Sequence, residues 1–179
     1  DVYKRQLLHN CFIRGNIAGR DGGAIAANWF SEPIISNCTI ADNIVTGYEG
    51  IGGFGGGLSC AYDSNSLIIN SILWGNEASK GSEISLGVGA MFEPRESALT
   101  VSFSDVQGWL DANHPGWLDP NAVFVDANNI LTWDFGSVID EDPNFVKGFY
   151  LSQTAAGQDL DSPCVDAGSA DANRQQINL

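Results

Sequence analysis

Three carboxylates, Asp63, Glu83 and Asp105, fall at or near the ends of short apolar runs, and Arg14, Arg20 and Lys80 are the basic residues that could serve them. Paired carboxylates can work as acid and base, or acid and nucleophile, on a glycosidic bond. A carboxylate-held calcium with a basic proton acceptor can run an elimination instead. A later set, Asp119, Asp126, Asp140, Glu141 and Asp142, could chelate Ca2+ through oxygen ligands, most compactly at Asp140, Glu141 and Asp142. No EF-hand loop or glycine-rich calcium nonapeptide accompanies them, so a solvated acidic loop is the plainer reading. Zinc is not expected, because Cys11, Cys38, Cys60 and Cys164 have no paired spacing and His9 and His114 are isolated. A serine triad has no Gly-x-Ser-x-Gly to stand on. The net charge is -14 with only 8 Lys plus Arg, which argues against nucleic acid and against an anionic membrane surface.

What could hold such side chains in place is a repeat. Pro33-Ile-Ile-Ser-Asn-Cys-Thr-Ile-Ala-Asp-Asn43 and Ser66-Leu-Ile-Ile-Asn-Ser-Ile-Leu-Trp-Gly-Asn76 share one pattern, and Leu8-His-Asn-Cys-Phe-Ile-Arg-Gly-Asn16 precedes them in the same register. Asn10, Asn37 and Asn70 form one column, and Cys11, Cys38 and Ser71 the next. Ile13, Ile40 and Leu73 follow, then Asn16, Asn43 and Asn76, then Ile25, Leu58 and Ile84. The step is 27 residues and then 33, so insertions fall between strands.

Each unit holds short runs rich in Ile, Leu, Val and Thr between Gly and Asn-Asp clusters, which are strand and turn signals. No window carries a sustained helical period. Strands in identical register with short connections are parallel, and they stack as the rungs of a coil about 4.8 Å apart. Columns of like residues then form the interior, and no single coil can bury its own face. The Asn16, Asn43, Asn76 column predicts a ladder, each amide donating to one coil and accepting from another. Its alternative is ordinary turn asparagine. Cys11 and Cys38 are rung neighbours and are expected as reduced, small core residues.

The runs Asn-Cys-Thr-Ile-x-Asp-Asn, Gly-Gly-Gly-Leu and Asn-Ser-Ile-Leu-Trp-Gly-Asn resemble right-handed parallel β-helix repeat proteins of the pectate-lyase-like superfold. Leu99–Gly108, Ile139–Val146 and Asp161–Ser169 resemble the C-terminal part of such proteins. The resemblance implies an all-β right-handed parallel β-helix of about four coils with an irregular C-terminal cap, from a large secreted or surface-anchored bacterial protein. It is specific for fold and weak for function, since the superfold hosts lyases, hydrolases, esterases, adhesins and passive stalks. In such proteins a glycine-rich stretch like the one after Thr46 overhangs a carbohydrate groove, which would make Tyr48, Glu49 and Phe54 candidate contacts; a simple insertion between coils is the plainer reading. The superfold's Asp-Asp pair, Gly-His-Gly and Arg-x-Lys patterns do not occur.

Residues 1–6 fit no repeat and resemble a translated sequencing adaptor, which makes the chain a fragment. Residues 7–108 are expected as coils and 109–179 as a long loop and cap of the same domain. Trp29 and Tyr62 share a column and, if exposed, could receive a sugar ring; a stack within the coil is the alternative. The expected role is a non-catalytic structural, adhesive or carbohydrate-binding solenoid, monomeric, outside the cell or on its surface. Its expected partner is a polysaccharide or surface glycan, with no membrane insertion and no cofactor unless calcium. The alternative is a polysaccharide lyase or glycoside hydrolase.

Overall fold

The computed structural model describes residues 5–48, 52–87, 95–110, 118–133, 136–146 and 150–164. They form a parallel β-helix, and the only helical element among them is one 3-10 turn at Thr154–Ala156. Its hand is the right-handed one that crossovers between parallel strands adopt. The first coil comprises β1 (Leu7–His9), β2 (Phe12–Arg14), β3 (Ile17–Ala18) and β4 (Ile25–Asn28). The second repeats this with β5 (Ile34–Ser36), β6 (Thr39–Ala41), β7 (Ile44–Val45) and β8 (Leu58–Ala61). The third has β9 (Asn65–Ile69), β10 (Ile72–Trp74) and β11 (Ile84–Leu86), and the fourth β12 (Ala98–Ser102), β13 (Ser104–Val106) and β14 (Val123–Val125). A partial fifth adds β15 (Ile130–Trp133) and β16 (Val138–Ile139).

Three long parallel sheets result, β1-β5-β9-β12-β15, β2-β6-β10-β13-β16 and β4-β8-β11-β14. The stacking thus continues past Gly108 to Ile139. The fourth coil opens at the 33-residue step expected of it, Val106 over Leu73, and an insertion between β13 and β14 then displaces Val123, so the rest of that coil and the fifth do not read as repeats in the sequence.

The registers set like residues over like. Ile13, Ile40, Leu73 and Val106 form one interior column, and Ile25, Leu58, Ile84 and Val123 another. Leu8, Ile35, Ile68, Val101 and Trp133 form a third. Most of these side chains are buried, each worth about 1.5–3 kcal/mol on removal from water.

The bends carry their own columns. Asn10, Asn37, Asn70 and Phe103 take left-handed backbone angles, φ 53°, 52°, 50° and 47°. Asparagine tolerates that region and phenylalanine does not do so readily. The ladder asparagines 16, 43 and 76 are not among the left-handed residues; the residues just before them, Gly15, Asp42 and Gly75, are. The left-handed turn positions therefore belong to the ladder's neighbours, against the alternative of ordinary turn asparagine.

β17 (Phe145–Val146) and β18 (Tyr150–Leu151) pair antiparallel beyond the coils. The sequence offers Phe145, Val146, Phe149, Tyr150, Leu151 and Val165 as a cap packing on the coil end; Tyr150 is 73% exposed, and Leu151 instead lies against the side of the coils. Phe149 and Val165 lie outside the described residues. No described helix is long and apolar enough to cross a membrane.

Candidate functional site

Inside the coil, the asparagine column is a directed chain of hydrogen bonds. Asn16 donates from N and Nδ2 to Asn43 Oδ1 at 3.1 and 2.9 Å. Asn43 donates likewise to Asn76 Oδ1 at 3.0 and 2.9 Å. Asn76 donates from N to Glu83 Oε1 at 3.1 Å and from Nδ2 to Glu83 Oε2. Glu83 is 0% exposed. Burial raises its pKa to about 8, against the pull of the two Asn76 bonds. Glu83 therefore terminates a structural ladder and does not face an external substrate.

Two further ladders run at the bends. Cys11 N donates to Cys38 Sγ at 3.4 Å, Cys38 N to Ser71 Oγ at 3.1 Å, and Ser71 N to Ser104 Oγ at 3.2 Å. Ser31 N donates to Ser64 Oγ, Ser64 N to Ser97 Oγ, and Ser97 N to Asn129 Oδ1. The serine ladder escaped sequence reasoning, although its constant 33-residue step was there to be seen. All four cysteines are free thiols, and burial raises Cys60 to about 11, so it is an inert core group.

The carboxylates and bases do not converge on one groove. Asp63 pairs with Arg95. Arg20 pairs with Asp21 at 3.1 Å, and Arg14 with Asp42 at 2.8 Å. Lys80 lies over the Phe54 and Phe124 rings at 5.7 and 5.0 Å, so Phe54 is a buried support and not a groove contact. Tyr48 is exposed and away from the cavities described below; Glu49 lies outside the described residues. Asp140 and Asp142 are committed to backbone donors, Gly108 N and Asn144 N. No group of three or more metal-ligating side chains occurs among the described residues, so the calcium set at Asp140, Glu141 and Asp142 is not assembled there.

Asp105 sits apart, beside a cavity of about 270 Å³ on the outer face of β6, β10 and β13. It is 2% exposed and accepts from Glu141 N at 3.2 Å and from the Cys164 thiol at 2.9 Å. Burial raises it to about 6; those two donors lower it, and nearby Asp140 and Glu141 raise it further. No Lys, Arg or His lines that cavity.

The more telling arrangement is at the end of β4 and β8. Trp29 stacks on Tyr62 with ring centroids 4.6 Å apart and planes 9° from parallel. Trp29 is 53% exposed and Tyr62 8%, so the pair is a ledge with its foot buried. Both rings are carried on left-handed backbone, Trp29 and Phe30 at φ 56° and 60°, Tyr62 and Asp63 at φ 57° and 61°. Two successive bulky residues in that region cost about 1–3 kcal/mol each, and such strain gathers at binding and active sites. The Arg95 guanidinium lies 5.7 Å from the Trp29 ring centroid. Arg20, Asp21 and Asn28 line a cavity of about 250 Å³ with the two rings. Asp21, Asn28 and Arg95 were not singled out by the sequence, where nothing periodic marks them.

Comparison with known proteins adds no relative: no family model, no curated protein and no solved structure matches this chain.

Proposed function

We propose that this chain is part of an extracellular or cell-surface β-helix that binds a glycan without turning it over, and that the Trp29–Tyr62 ledge is where the sugar sits. The observation that carries this reading is an exposed indole held on strained backbone, stacked on a buried phenol and ringed by polar side chains. A sugar ring presents an apolar C–H face to such a surface and hydroxyls to its rim. The stacked coils supply rigidity, so little ordering is needed on binding.

A polysaccharide lyase or glycoside hydrolase is the second reading. It is favoured by Asp105, whose pKa near 6 suits proton transfer at neutral pH. Against it stand the enclosure of Asp105 and the scatter of the other carboxylates.

An oligosaccharide array probed with the parent and with Trp29→Ala tests the first reading, with bond cleavage followed in the same samples. Binding that Trp29→Ala reduces at least tenfold, with no product formed, is the expected result. Binding indifferent to Trp29, or none at all, sinks it. Cleavage that disappears with Asp105→Asn moves the function to the second reading.

A further inference from the structure

We infer that Asp105 is a proton-operated clasp that holds the chain beyond β16 against the side of the coils, closed in acid and loosened at neutral pH. Val106 belongs to an interior column, so Asp105 beside it points outward from β13. A carboxylate on the outer face of a sheet is ordinarily hydrated, yet this one is 2% exposed. The later chain lies over it. Leu151 and Cys164 wall the cavity of about 270 Å³ that also borders Thr39, Ile72 and Asp105, three successive rungs of one outward column.

That later stretch holds itself together. β17 and β18 pair with each other and with no coil strand. Ser152 N donates to Asn144 O at 3.2 Å, Ser152 Oγ to Leu160 O at 2.6 Å, and Ser162 N to Ser152 O at 2.8 Å. Among the described residues, its hydrogen bonds to the coils are two: Glu141 N to Asp105 Oδ1 at 3.2 Å, and Cys164 Sγ to Asp105 Oδ2 at 2.9 Å. One carboxyl receives both.

The groups around Asp105 make its charge costly. Asp140 and Glu141 act on it from the loop after β16, and Glu83 is coupled to it from inside the coil. Asp142 acts on Cys164, and no Lys, Arg or His lines the cavity. Burial and the Asp105 contact raise the Cys164 thiol, so it stays protonated through neutral pH. Protonating Asp105 keeps both contacts, because Oδ1 still accepts from Glu141 N while the Oδ2 hydroxyl donates to the Cys164 sulfur. With the clasp open, Asp105 is hydrated and titrates near its ordinary 3.8; closed, burial raises it to about 6 against the pull of the two donors. Below pH 3.8 both forms are protonated and closing carries no charge cost. From there to about pH 6 closing weakens, and beyond it the loss levels off at up to about a hundredfold. Ile72 and Ile139 flank Asp105 on the neighbouring rungs and keep part of its burial when the clasp opens, so a hundredfold is the ceiling. Opening bares the outward face of β6, β10 and β13, so pH sets when that face is accessible.

The test labels the whole chain with 4,4′-dithiodipyridine, which reacts with thiols even in acid, at steps from pH 4 to pH 7, and assigns the label to each cysteine by peptide mass spectrometry. The Cys164 rate is divided by that of glutathione at the same pH, and Cys60, fully buried, reports opening of the whole fold. In the parent the relative Cys164 rate should rise at least tenfold across the series and stay well above that of Cys60. In Asp105→Asn and Asp105→Ser, which cannot ionise, it should stay flat; one of the two with Cys60 still protected suffices. A flat parent profile overturns the inference. So does a rise undiminished in the uncharged variants, which would assign it to Asp140, Glu141 or Asp142. Cys164 labelling no faster than Cys60 also overturns it, since the coils would then open together with the later chain.

Discussion

Replacing Glu83 by Gln exposes what a buried carboxyl at the end of the asparagine ladder contributes. The side chain is fully enclosed, and burial raises its pKa from 4.5 to about 8. A pKa difference of one corresponds to about 1.4 kcal/mol. The folded state keeps the Glu83 proton where the unfolded chain has lost it, so this group lowers stability as pH rises. Well below pH 4.5 both states are protonated and the cost is absent. It grows from there to about pH 8 and levels off at about 5 kcal/mol. At pH 7 it is roughly 3 kcal/mol.

Glutamine removes that slope and brings a different cost. Asn76 offers two donors, and a glutamine amide has one acceptor oxygen, so one donor is left facing another. That costs about 1–3 kcal/mol at every pH. Glu83→Gln should therefore be less stable than the parent near pH 4.5, draw level as pH rises, and overtake it by about pH 8. Urea denaturation followed by circular dichroism at steps across that window gives the answer. The quantity to read is the difference between variant and parent, because Asp105 and Asp21, also raised by burial, tilt both curves alike. A difference that stays flat with pH would show that Glu83 titrates in the fold as it does in the unfolded chain, and so carries no cost of burial.

Leu58 lies between Ile25 and Ile84 in a buried column, so Leu58→Asp should abolish cooperative thermal unfolding; a parent-like melt would refute the column. Asn43→Ala removes the acceptor for Asn16 and leaves Asn76 Oδ1, Ile13 O and Ala41 O without the Asn43 amide. A loss of about 2–3 kcal/mol is expected in urea, against well under 1 for Asn16→Ala on the exposed first coil; equal losses would deny the ladder its direction.

The interior was legible because stacking forces it into columns. Ile13, Ile40 and Leu73 announce themselves by spacing alone, since a strand that slipped by one residue would turn its apolar set outward. Glu83 was not legible as a ladder group. By register the position after Asn76 falls to Trp109, which is buried, and the carboxyl that takes the ladder's last two hydrogen bonds reaches in from only seven residues beyond Asn76. Gly57 makes room for it: a Cβ there would stand 2.6 Å from the Glu83 carbonyl and 3.3 Å from Asn76 Nδ2. Of the ledge, Trp29 and Tyr62 could be read from their shared column, but not Asp21 and Asn28. Outward-facing side chains answer to solvent or ligand, and neither imposes a period on the sequence.

The same geometry limits what the ledge can hold. Rungs in a parallel sheet lie about 4.8 Å apart, and the Trp29 and Tyr62 centroids lie 4.6 Å apart, so ring follows ring at the spacing of the backbone. One step of 33 residues beyond Tyr62 the column carries Arg95, and its guanidinium turns back to Asp63 and Trp29. Toward the later coils the aromatic column therefore stops at Tyr62. An aromatic track along the coil axis, as a long glycan would need to lie lengthwise, would require further rings in later coils. A glycan bound as proposed would meet no further ring in this column past Tyr62, so along the later coils it would have to be held by polar contacts or turn across the coils.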